Sequence, residues 1–125
     1  MENQSIQSYQ DLKAWQQAMS LAEMSYRLTQ TFPREEAYGM TSQIRRAAAS
    51  VPANIAEGYG REHRLEYIHF LQIAQGSLKE VETHLILSAR VGLTSQAAIE
   101  PLLSQSETTG KILHGLIRAL QKNRE

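Results

Sequence analysis

The residues with the greatest chemical potential lie between positions 43 and 84. Glu66 and His69 form one Glu-x-x-His unit, the spacing used by di-iron bundles. Such a centre needs two of these units and two further inward carboxylates. Glu80 and His84 stand four apart and His114 has no matching acid, so no second unit exists and no metal is expected. Serines and histidines occur, but no strand-turn-helix elbow or glycine-rich phosphate loop positions them for nucleophilic work. Gly58-Tyr59-Gly60 is a lone Gly-x-Gly that a helix end explains. The expectation is a non-enzyme without a cofactor.

Two polar sets remain. Gln43, Arg46, Ser50, Asn54, Glu57 and Arg61 step by three and four, so they share one side of a helix. They form either a ligand strip or a polar seam in which Asn54 and Glu57 bond across helices or subunits. The second set is basic: Arg34, Arg45, Arg46, Arg61 and Arg64, interleaved with Glu35, Glu36, Glu57 and Glu62. In an oligomer a modest patch recurs on every subunit, and weak phosphate contacts add up. Arg45, Arg46, Tyr59, Arg61 and Arg64 are therefore the candidate nucleic-acid or partner contacts, with Tyr59 as a base-stacking ring. Gln43, Ser50, Asn54 and Glu57 are the candidate seam. The competing reading makes the arginines salt-bridge partners on a solvated face. Lys111, His114, Arg118, Lys122 and Arg124 form a second basic cluster, part of which complements a helix dipole.

These residues must be held by helices. Ser8 and Asp11 read as a capping box opening a helix over about 11–30. Its apolar rows are Leu12, Trp15, Met19, Ala22 and Tyr26, and beside them Ala14, Ala18, Leu21 and Leu28. Phe32-Pro33 with Glu35 and Glu36 predicts a second helix over 34–59. It is closed by Gly58 and Gly60 and kinked at Pro52. Its row is Met40, Ile44, Ala47/Ala48, Val51 and Ile55, and its alanines allow close approach by a neighbour. A third helix over 64–91 carries Tyr67, Phe70/Leu71, Ala74, Leu78, Val81 and Leu85 and ends at Gly92. Thr94 or Ser95 caps a fourth over 95–122, with Ile99, Leu102/Leu103, Leu113, Leu116/Ile117 and Leu120. Long amphipathic helices on short loops predict an all-α, antiparallel up-down-up-down four-helix bundle over 11–122, after a polar segment over 1–10.

Composition narrows the partners. The chain of 125 residues has 13 Lys and Arg against 13 Asp and Glu, without the basic excess of a dedicated nucleic-acid binder. It has no cysteine, and no apolar run reaches the ~20 residues needed to span a bilayer. A soluble cytoplasmic protein is expected.

One stretch is more specific than its helical pattern. The sixteen residues from Gln43 through Arg45-Arg46-Ala47-Ala48-Ala49-Ser50-Val51-Pro52-Ala53-Asn54 to Gly58 resemble the signature of four-helix proteins encoded in ribosomal RNA intervening sequences. The accessory variability determinants of diversity-generating retroelements belong to the same superfamily. Asp11-Leu12-Lys13-Ala14-Trp15, Phe32-Pro33, Phe70-Leu71 and Ala74 to Glu80 strengthen the resemblance, which covers roughly residues 9 to 93. Helix 4 matches only in being amphipathic. The resemblance implies a homopentameric ring of four-helix protomers with no known catalysis. It makes RNA, DNA or a reverse-transcriptase-like protein the candidate partners besides a second copy. Accessory determinants are basic and bind nucleic acid, whereas this chain is neutral. The alternative is a structural or protein-binding oligomer without nucleic-acid affinity.

Overall fold

The computed structural model describes residues 5–122. Residues 1–4 of the polar first segment, and Arg124 of the C-terminal basic cluster, lie outside them. Four helices fill most of the rest: α1 Lys13–Thr29, α2 Met40–Tyr59, α3 Arg64–Arg90 and α4 Gln96–Lys122. Single 3₁₀ turns stand at Tyr9–Asp11 and Arg34–Glu36. Short connections force consecutive helices to run antiparallel. α1 packs on α2 and α4, α3 packs on α2 and α4, and the diagonal pairs do not touch. The bundle thus has four sides, with α1/α2 opposite α3/α4. Among the described residues no helix is long and apolar enough to cross a membrane.

The helix boundaries follow from local chemistry. Ser8 Oγ accepts from the Gln10 N–H while the Asp11 carboxylate accepts from the Ser8 N–H. This capping box closes the 3₁₀ turn; extended Leu12 then separates it from α1. α2 opens at Met40, six residues later than Pro33-Arg34 suggested. Glu36 Oε1 accepts from the Met40 N–H at 2.9 Å, so the acidic pair does serve a helix start, from one turn upstream. A β-carbon on Gly39 would lie 2.9 Å from that same oxygen. Gly92, at φ +85°, ends α3; the Leu93 N–H returns to the Ser88 carbonyl at 2.9 Å in the arrangement a left-handed cap allows. Ser95 Oγ accepts from the Ala98 N–H and starts α4. α2 continues through Pro52.

Gly58 has a different role from the one its sequence suggests. It is a buried residue of α2, and a β-carbon there would sit 2.9 Å from the Phe70 β-carbon and 3.1 Å from the Tyr67 carbonyl. It lets α3 approach. Gly60 is the cap.

Leu21, Ile44, Val51, Ile55, Leu71, Val81, Leu85, Ile99 and Leu113 are fully buried at the bundle centre. Ala18, Ala48 and Ala74 are equally buried and keep the helices close. On α1 the inward face is Ala14, Ala18, Leu21, Ala22, Ser25 and Thr29, whereas Trp15 and Met19 are half-buried and Tyr26 is exposed. On α3, Ile68 takes the inward position that Tyr67 and Phe70 were expected to fill. The buried Ser25, Thr29 and Thr109 hydroxyls donate to carbonyls of the preceding turn, which makes their burial affordable.

Candidate functional site

The α2/α3 side holds the polar seam. Ser50 and Ser77 share a hydrogen bond of 2.8 Å across the two helices. The Asn54 amide donates to the Ser50 carbonyl at 2.8 Å and to its hydroxyl at 2.9 Å, so these three side chains form one network. Gln43, Arg46 and Ser50 line a shallow depression of about 210 Å³ with Glu80 of α3. Glu57 is not part of this network. It accepts from Arg61 at 2.6 Å, four residues along the same segment, and both side chains are nearly half exposed.

The five candidate contacts do not make one surface. Arg45 is directed at α1: its Nε donates to Thr29 Oγ1 at 2.8 Å and one terminal nitrogen to the Tyr26 carbonyl. Its guanidinium carbon lies 4.5 Å from the Tyr26 ring centroid. Arg46, one residue on and a third of a turn around, is exposed beside α3. Arg61 rests over the Phe70 ring at 4.8 Å while paired with Glu57. Arg64 is half-buried at the first position of α3. From Arg46 to Arg61 the helix rises about 20 Å.

Tyr59 is half-buried rather than exposed, with its ring edge-on to Tyr67 at 6.1 Å. Burial, and secondarily the neighbouring Tyr59, pushes the Tyr67 phenol up to about 12. Glu66 and His69 are both exposed, and the His69 ring stands edge-on to Phe70. Among the described residues no group of three or more His, Cys, Asp or Glu could hold a metal ion.

Two open surfaces escaped the sequence reading. On the α1/α2 side, Tyr9, Trp15, Met19 and Tyr26 wall a groove of about 630 Å³. Its floor is Ala49, Pro52, Ala53 and Ala56 of α2. The signal was present: Trp15, Met19 and Tyr26 belong to one helical row, but they face this groove rather than the bundle centre. On the α3/α4 side lies a groove of about 870 Å³, with Gly76 and Gly110 among its walls. There the buried Ser106 hydroxyl donates to Glu82 at 2.6 Å.

Among the described residues these features bring together no nucleophile, base and oxyanion donor. Comparison with known proteins places the fold. A comparison with curated proteins finds no match. A solved crystal structure is similar, that of a protein of unknown function from the S23 ribosomal protein family of Bacteroides thetaiotaomicron. The two share 25% identity at a TM-score of 0.78, covering 84% of this chain and 98% of the other. The sequence model of the 23S rRNA-intervening sequence protein family matches residues 10–115, past position 93 and well into α4, and the chain belongs to that family.

Proposed function

We propose that the chain is a non-enzymatic cytoplasmic scaffold that assembles with copies of itself, five being the number that the family resemblance implies. The observation that carries this reading is the open α1/α2 groove. Tyr26, 45% exposed although Arg45 stacks on its ring, stands beside half-buried Trp15 and Met19 over a floor of alanines and Pro52. Partly exposed aromatic and methionine side chains around a concave apolar patch have the composition of an interface core. In the α2/α3 seam, by contrast, Ser50, Asn54 and Ser77 bond to one another within the chain. RNA, DNA or a reverse-transcriptase-like protein is what such an assembly would hold.

The protein-only adaptor has its own support. The charge balance is neutral, and Arg45 and Arg61 are engaged by Tyr26, Thr29, Glu57 and Phe70, which leaves Arg46 as the exposed cation of α2.

Light scattering of the purified chain tests self-association. The parent is expected at a multiple of 14.1 kDa. Ala53 is exposed on the groove floor, so Ala53→Glu should return the mass to one chain with helical content unchanged. A parent that is monomeric at micromolar concentration, or an Ala53→Glu variant that assembles as the parent does, refutes the reading.

A further inference from the structure

The basic residues most available for an anionic partner lie on α4. Lys111, His114, Arg118 and Lys122 step by three and four, so they stand on one exposed face, with the cations Lys111, Arg118 and Lys122 spread over about three turns. From Thr108 to Lys122 the chain has no Asp or Glu. His114 lines both the α3/α4 groove and a second depression of about 360 Å³ with Arg118, Gln121 and Lys122. The two depressions thus adjoin at His114.

The helix dipole does not account for this arrangement. Its influence falls off within the last turn, which covers Lys122 but not Lys111 or His114, two to three turns earlier. Ion pairing does not account for it either. Among the described residues Arg118 and Lys122 make no ion pair, and Lys111 meets Glu107 only at 3.6 Å with 76% of its side chain exposed. An exposed pair of that kind is exchanged readily for a phosphate. Glu107, and Glu82 with Lys79 farther along the groove, mark where the cationic face ends.

We infer that this face of α4 is a contact for the phosphodiester backbone of a nucleic acid. Lys111, Arg118 and Lys122, on long stems along one face with no acid among them, suit a repeating anion and carry no base-reading geometry. The inference gives the cargo of the proposed scaffold a chemical class, but the contact itself needs only one chain. Self-association multiplies it.

The test is fluorescence anisotropy of labelled RNA and DNA hairpins of equal length, titrated with the whole chain across a salt series. The variant is Lys111→Gln, Arg118→Gln and Lys122→Gln together, all at exposed positions. Its charge-matched control is Arg34→Gln, Arg46→Gln and Arg90→Gln together, exposed elsewhere. The α4 triple should weaken binding about tenfold or more and flatten the logarithmic salt slope by about 2 units. The control should change affinity less than about threefold, and RNA and DNA should bind alike. No binding by the parent at low salt, equal weakening by the two triples, or strong preference for one nucleic acid overturns the inference. So does equal competition by an acidic peptide. Light scattering of each sample separates the two proposals: a monomeric parent that still shows the contrast between triples removes the assembly and leaves the α4 contact standing.

Discussion

The hydroxyls of Ser50 and Ser77 meet at 2.8 Å between α2 and α3, and Asn54 holds the Ser50 side of the pair in place. Ser77 is buried, so the bond is made where water cannot easily replace it. Either hydroxyl can be the donor, and each is the other's partner across the interface. Losing one leaves the other short of a partner; losing both does not.

Single Ser50→Ala and Ser77→Ala substitutions are each expected to cost about 1–3 kcal/mol, and the double variant less than their sum. Urea denaturation at fixed protein concentration measures the cycle. Additive costs would show that the two hydroxyls do not depend on one another.

Two glycines should respond in opposite directions. Gly58→Ala drives a methyl group into the Phe70 β-carbon and the Tyr67 carbonyl and should cost about 1–3 kcal/mol. Gly76→Ala meets nothing within 4 Å and should gain about 1 kcal/mol from helix propensity. Melting curves decide both. A neutral Gly58→Ala would mean that α3 retreats at little cost, and a destabilising Gly76→Ala would mean that something outside the chain rests on α3.

Ala48 is fully buried in the alanine run that faces its neighbours. Ala48→Leu should overpack this point and lower stability by about 1–3 kcal/mol. A melting temperature equal to the parent's would show that the interface has room to spare.

Tyr67 supplies a pH dependence. Its phenol titrates at about 12 in the folded chain, against 10.0 when unperturbed, chiefly because burial disfavours the phenolate. The folded state therefore binds this proton more tightly than the unfolded state does. The resulting stability is present below pH 10.0 and is lost as pH rises toward 12. Between those values Tyr67→Phe should lose stability less steeply than the parent; parallel curves would count against the buried phenol.

How much of this was legible in the sequence depends on what each residue discloses by itself. Gly92 and Ser95 act on their own backbone neighbours and end α3 and start α4 as expected, whereas the Ser8–Asp11 box forms but caps the 3₁₀ turn rather than α1. The inward face of α1 also differs from the expected one. Trp15, Met19 and Tyr26 are larger and more apolar than Ala14, Ser25 and Thr29, so hydropathy favoured the row that lies outside. Small side chains won the interior because neighbouring helices approach closely there, and Ser25 and Thr29 could follow because they donate to their own helix. The α2 start was misplaced because Pro33 and two glutamates describe a helix opening equally well one turn upstream. Arg45 and Arg46 look alike in sequence. Their separation, one onto Tyr26 and one toward Glu80, exists only once α1 and α3 are in place.

The order of helix contacts around the bundle has a kinetic consequence. α1 with α2, α2 with α3, and α3 with α4 are hairpins that close over short stretches of chain, the local contacts that form fastest. The α1/α4 side is the exception, where the Gln105 amide reaches the Gln17 carbonyl and side chain across 88 positions. Closing that side bears most of the loop entropy, and it is the natural last step of folding and first of opening. Native-state hydrogen exchange should find amides at the α1/α4 contact opening before those of the α2/α3 hairpin. The helix with the exposed cationic face is thus also the one held to the rest by the latest-forming seam.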